Sequence, residues 1–162
     1  MREEILRETT TQFSTDLQET AAKEPFLAVL RELAQAYHAF SAYSAAHVRQ
    51  LGLTPAQFDV IATLGNTQGM PLTQLAKKTL ITKGTLTGII DRLDEKGLVR
   101  REVPVGDRRS FCAVLTPEGE VLFSRVFPAH IAYLSRVFAN VDAGDLEQVR
   151  RTLRALRDRF QE

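Results

Sequence analysis

Two adjacent arginines, Arg108 and Arg109, follow Gly106 and Asp107 in the stretch VGDRRS. A Gly-Asp pair permits a tight turn, and runs that read as strands lie on either side of it, LVRREVPV before and RSFCAVLT after, so the arginines stand at the tip of a hairpin. A long guanidinium on a thin hairpin suits a narrow minor groove, where the negative potential of DNA is enhanced. Asp107 is placed to hold a neighbouring arginine extended. Taken alone, the same residues also describe an exposed turn whose charges aid solubility. The reading therefore depends on what precedes them.

What precedes them is a second group with chemistry in it. In ITKGTLTGIIDRLDEKG, Thr82 is a helix cap, and Leu86, Ile89, Ile90 and Leu93 fall on one face. At 100° per residue the opposite side carries Gly84, Gly88, Asp91 and Glu95, with Thr85, Thr87 and Arg92 on the flanks. Apart from Lys83, the first half is small, polar and uncharged. Such a helix N-terminus suits a major groove: its free N–H groups and dipole favour phosphate. Threonine reads base edges or a thymine methyl, and Arg92 reaches a base or a phosphate. Two glycines inside a helix cost about 1 kcal/mol each relative to alanine. Close approach to DNA accounts for them; relief of crowding against the hairpin is the alternative.

Stepping outward, LTQLAKKTL forms a short helix with Thr73 as its cap, joined to the next by a turn of a few residues. That is helix-turn-helix spacing. Before it, TPAQFDVIATLG starts with Thr54 as N-cap, Pro55 at N1 and Gln57 completing a capping box, and NTQGMP is a loop. Residues 26 to 51 form one long helix whose stripe runs Phe26, Leu30, Leu33, Tyr37, Phe40, then polar Ser44 and His47, then Leu51. After the hairpin, Thr116-Pro117-Glu118 opens a helix running to about Ala139, with Pro128 inside it as an expected kink. A last helix, capped by Asp142, carries a narrow seam of Leu146, Val149, Leu153, Leu156 and Phe160.

The expected fold is thus mainly α with a small β-hairpin wing: a winged helix-turn-helix lobe over 52–116, between dimer-forming helices over 1–51 and 117–162, all in one compact protomer. Bare seams at both ends would expose a large apolar patch, which implies a second copy of the chain. Residues 1–24 allow either an extra helix gripping the partner or a tail.

Composition agrees. The chain has 162 residues and a net charge of only +1, yet residues 67–111 hold nine Lys/Arg against five Asp/Glu, a local +4 in a frame of −3. That is a modest footprint for a polyanion. No apolar run approaches the ~18 residues of a membrane span, the first residues lack the apolar core of a signal peptide, and Cys112 is the single cysteine. A cytoplasmic protein without a membrane partner is expected. No nucleophile–base pair, glycine-rich phosphate loop or metal-ligand spacing is visible, so neither an enzyme nor a cofactor is expected. His38 and His47, nine residues apart, lie on opposite sides of one helix and cannot share a metal within it.

The run from residue 72 to 119 resembles the multiple-antibiotic-resistance regulator (MarR) family of transcription regulators. The markers are DRLDEKGLVRR at the end of the recognition helix, the wing DRRS, and LTPEG opening the next helix. The resemblance implies a homodimer that binds a pseudo-palindromic operator on double-stranded DNA, acting as a repressor released by a small ligand. In the family's wing pattern, aspartate, any residue, arginine, the matching positions are Asp107, Arg108 and Arg109. Arg109 is then the minor-groove residue, Asp107 its orienting partner and Arg108 a phosphate contact. The expected DNA-binding set is therefore Thr73, Thr82, Lys83, Gly84, Thr85, Thr87, Gly88, Arg92, Asp107, Arg108 and Arg109. A winged-helix module for protein contact is the alternative.

The family's oxidant sensors use a cysteine in the N-terminal helix, which this chain lacks. Cys112 lies on the wing's second strand, as packing or as a weak redox site. Other branches bind aromatic or phenolic anions where the dimer region meets the DNA-binding lobe. Tyr43, Ser44, His47 and Phe58 are the candidates for that site; equally, Ser44 and His47 are satisfied polar groups at a dimer seam.

Overall fold

The computed structural model describes residues 24–103 and 111–161. The wing tip, with Asp107, Arg108 and Arg109, lies outside the described residues, as do residues 1–23. Backbone contacts divide the chain into two compact units, 1–43 and 44–162.

The first unit contributes most of one helix, α1 (Phe26–Gln50). Its stripe exists but is uncovered in the single chain: Phe26, Leu30, Tyr37 and Phe40 are all exposed.

The second unit begins with the end of α1, where Val48 is buried. Helix α2 (Pro55–Leu64) starts as its residues dictate. The Thr54 hydroxyl accepts from the Gln57 amide, and the Gln57 side chain accepts from the Thr54 amide, a closed capping box. Gln57 is consequently buried without being orphaned. Helices α3 (Leu72–Thr79) and α4 (Lys83–Glu95) follow in close succession. Leu75, Leu86, Ile90 and Leu93 are fully buried between them and α2, which fixes the outward face of α4. Gly97, at φ +66°, closes α4: its amide donates to Asp94 and that of Leu98 to Leu93, a Schellman motif.

Three points differ from expectation. Within NTQGMP, residues Met70–Pro71 form a short strand β1 that pairs with β3 (Cys112–Leu115), so the wing's β2 (Val99–Glu102) and β3 belong to a three-stranded sheet of order β1-β3-β2. Met70 faces Ala113, and Pro71 is tolerated because β1 is an edge strand. Second, Thr73 is not the cap of α3. The chain passes from β1 straight into the helix through Pro71, which offers no side-chain bond, and Thr73 is exposed in the first turn. Third, α3 ends on Leu80 at φ 57°, ψ 20°, a left-handed conformation costing a non-glycine residue about 1–2 kcal/mol. Cys112 is half-buried in the centre strand.

Thr116 caps α5 (Pro117–Phe138), which continues through Pro128 and buries Phe123, Val126 and His130. Asp142 caps α6 (Ala143–Arg159), which buries nothing: Leu146, Val149 and Leu153 are exposed, as is Phe160 just past its end. Among the described residues no helix is long and apolar enough to cross a membrane.

Candidate nucleic-acid interface and polar cluster

The outward face of α4 is set by its cap. The Thr82 hydroxyl accepts from the Thr85 amide at 3.4 Å and donates to the Thr85 hydroxyl at 3.0 Å. The Thr85 hydroxyl keeps its own proton to donate elsewhere. The Thr87 hydroxyl donates to the Lys83 carbonyl, which leaves its lone pairs to accept. Thr82, Lys83, Gly84, Thr85, Thr87 and Arg92 are exposed, and Gly88 half-buried. A methyl group at Gly84 or Gly88 would meet nothing within 4 Å. Among the described residues, then, crowding does not account for these glycines, and the surface of α4 stays low where they stand. No acidic residue occurs between Asp59 and Asp91, while Lys77, Lys78 and Lys83 do.

The two sides of the interface are tied together at the base of the wing. Asp91 of α4 accepts from Arg101 of β2, and the Arg101 guanidinium lies 4.7 Å from the centroid of the Phe111 ring. Sequence reasoning placed Asp91 on the outer face beside Glu95 and did not identify its partner. Arg100 pairs with Glu102 on the same strand. Both ion pairs are partly exposed, so each contributes little to stability; their effect is positional.

The candidate ligand residues behave differently. Ser44, His47 and Phe58 converge on a residue the sequence reading did not select, His130. Its Nε2 lies 3.1 Å from the Ser44 hydroxyl and its Nδ1 3.0 Å from His47 Nδ1. Phe58 meets it edge-on at 4.7 Å, and Tyr133 stacks on His47 at 4.1 Å. Tyr43 is half-buried and belongs to the other compact unit. The signal for His130 was present. It follows Phe123 and Val126 by helical steps on the buried side of α5, a polar residue where an apolar one is expected, as Ser44 and His47 are on α1.

The Nδ1–Nδ1 contact carries one proton. Either His47 donates to His130, whose Nε2–H then donates to Ser44, or His130 donates to His47 and the Ser44 hydroxyl donates to Nε2. Two imidazolium rings would set N–H against N–H and break the bond. Burial, and secondarily the nearby His47, hold His130 below the ordinary histidine value. The folded state therefore binds fewer protons here than the unfolded chain. Its contribution to stability is present above the unfolded pKa, about 6.5, and is lost as pH falls below it. Melting curves from pH 7.5 to 5.5 should show a falling midpoint, and His130→Gln should flatten that slope. Equal slopes would exclude His130 as the cause.

Residues 53–111 match the family model described as the MarR family. Over 115 residues the chain is 30% identical to the transcriptional regulator MhqR of Bacillus subtilis, covering 71% of this chain and 79% of that protein. The crystal structure of AbsC, a MarR family transcriptional regulator from Streptomyces coelicolor, superposes with a TM-score of 0.76 at 26% identity, covering 83% of this chain and 93% of AbsC. NadR in complex with 4-hydroxyphenylacetate superposes with a TM-score of 0.67 at 26% identity, covering 79% and 91%.

Proposed function

The chain belongs to the MarR family, and we propose that it is a homodimeric repressor that holds a pseudo-palindromic operator through α4 and the wing and is released by a small aromatic or phenolic ligand. It is a DNA-binding transcription regulator and not an enzyme. The observation that supports the mode of binding is the face of α4: capped, free of carboxylates through its first two turns, and lowered by two glycines that packing among the described residues does not require.

Thr85 and Thr87 read base edges, Arg92 takes a base or phosphate, and Thr73, Thr82, Lys83 and Arg108 hold the backbone. Arg109 enters the minor groove with Asp107 orienting it. The second copy covers the exposed apolar stripes of α1 and α6. Ser44, His47 and Phe58, which meet at His130, form the ligand site, and Tyr43 is a candidate by its place in the sequence alone. NadR, crystallised with 4-hydroxyphenylacetate, gives the chemical class. A ligand that prefers another spacing of the two lobes lowers operator affinity in proportion to that preference. Such a regulator works in the cytoplasm, beside its DNA.

Arg109→Ala tests the wing. Operator affinity should fall by about 1–3 kcal/mol and the salt slope should become shallower by about 1. Titrations at several salt concentrations measure both, and an unchanged affinity would remove Arg109 from the groove.

A further inference from the structure

The Leu80 backbone ends α3, but its side chain packs on nothing in the core. It is 91% exposed, the highest value among the large exposed hydrophobic residues, while Leu75 before it and Leu86 after it are fully buried. Its backbone is left-handed, which fixes where the side chain projects and favours glycine or asparagine over leucine. It stands two residues before Thr82, the cap of α4. Lys77, Lys78 and Lys83 around it are exposed, and among the described residues none of the three forms an ion pair. A surface with three ammonium groups, no carboxylate nearby and one projecting apolar side chain suits a partner that is anionic and still offers apolar surface.

Duplex DNA has that combination. Phosphates line the groove edge, and between them lie the C–H faces of deoxyribose and the C5 methyl of thymine. We infer that Leu80 is an operator-contacting residue, packing its methyl groups on this apolar surface beside the N-terminal end of α4. The inference rests on α4 entering the major groove. When the cap of α4 approaches the duplex, the residue two positions ahead of it is carried to the groove wall. The lysines neutralise phosphate there, and Leu80 supplies a contact that carries no charge and is already held in one backbone conformation.

The test uses the full-length protein and an operator selected from a random DNA pool by the wild type. Leu80→Asn keeps a residue suited to the left-handed backbone and removes the apolar contact; Leu80→Met restores an apolar side chain. Leu80→Asn should melt no lower than wild type and bind the operator about tenfold more weakly, with the same salt slope because no charge is lost. Leu80→Met should bind within about twofold of wild type, as an apolar contact of similar size. Replacing operator thymines by uracil one at a time then separates the two surfaces. If one position weakens wild type but not Leu80→Asn, the contact is a thymine methyl; if none does while the Asn variant stays weak, it is deoxyribose. Wild-type affinity in Leu80→Asn overturns the inference and leaves this apolar knob to a protein partner. A wild type that selects no DNA overturns the operator reading itself, and the inference with it.

Discussion

Gly88→Glu should lower operator affinity by about 100-fold or more while leaving the fold intact or slightly firmer. The side chain has room, since no atom of the described residues lies within 4 Å of a Cβ at that position. Glutamate is a better helix former than glycine by roughly 0.5–1 kcal/mol, against which a like charge at Asp91, one turn on, costs about 0.2–0.5. Asp91 is itself held by Arg101. On the DNA side the change is severe. A carboxylate appears on a face that has none from Val60 to Ile90, in front of phosphates with which each close contact is unfavourable by roughly 1–4 kcal/mol. Gly88→Ala separates bulk from charge: it should melt higher and bind several-fold more weakly. Anisotropy titration of a selected operator, paired with thermal melts, measures both quantities. A Gly88→Glu protein that binds like wild type would take α4 out of the groove.

The opposite result is expected at Gly119, in the first turn of α5. Gly119→Ala should destabilise the protein by about 3 kcal/mol, at the upper end for overpacking. The new methyl would run into the carbonyl oxygen of Leu98, which is backbone and has no rotamer to turn away. Neither side can retreat cheaply. The Thr116 hydroxyl accepts from the Gly119 amide and donates to the Gly97 carbonyl at 2.6 Å, and the Thr116 amide donates to Leu98. These bonds seat the start of α5 on the turn that closes α4. Chemical denaturation reads the loss directly; a change below about 1 kcal/mol would mean this joint is looser than its bonds suggest.

The contrast between these glycines separates what the sequence discloses from what it withholds. Both lie inside helices, and composition gives no hint that one is open and the other pinned. Features settled within a few residues were legible: the Thr54–Gln57 capping box, the Thr82 cap and the buried face of α4. Features set by residues far apart in the chain were not. Strand β1 has two residues and exists only because Met70 and Pro71 meet Ala113 and Cys112. Without that pairing MP reads as loop, and Thr73 as a cap. Ser44 and His47 stood out as polar breaks on α1, but His130 is more than eighty residues away and had to be brought to them by α5. Asp91 faced outward as expected; that it holds Arg101 follows from the register of β2, which no periodicity encodes. The Arg108–Arg109 pair was legible as chemistry and stands as a proposal, since it lies outside the described residues.

Selection of operator DNA from a random pool by the full-length protein bears most directly on the claim that this is a sequence-specific, two-fold symmetric DNA reader. The predicted result is one enriched, pseudo-palindromic sequence. Its half-sites should lie about one helical turn apart, ~34 Å between centres, and binding should weaken steeply with salt. A pool that returns no enriched sequence, or a site without two-fold symmetry, would contradict it.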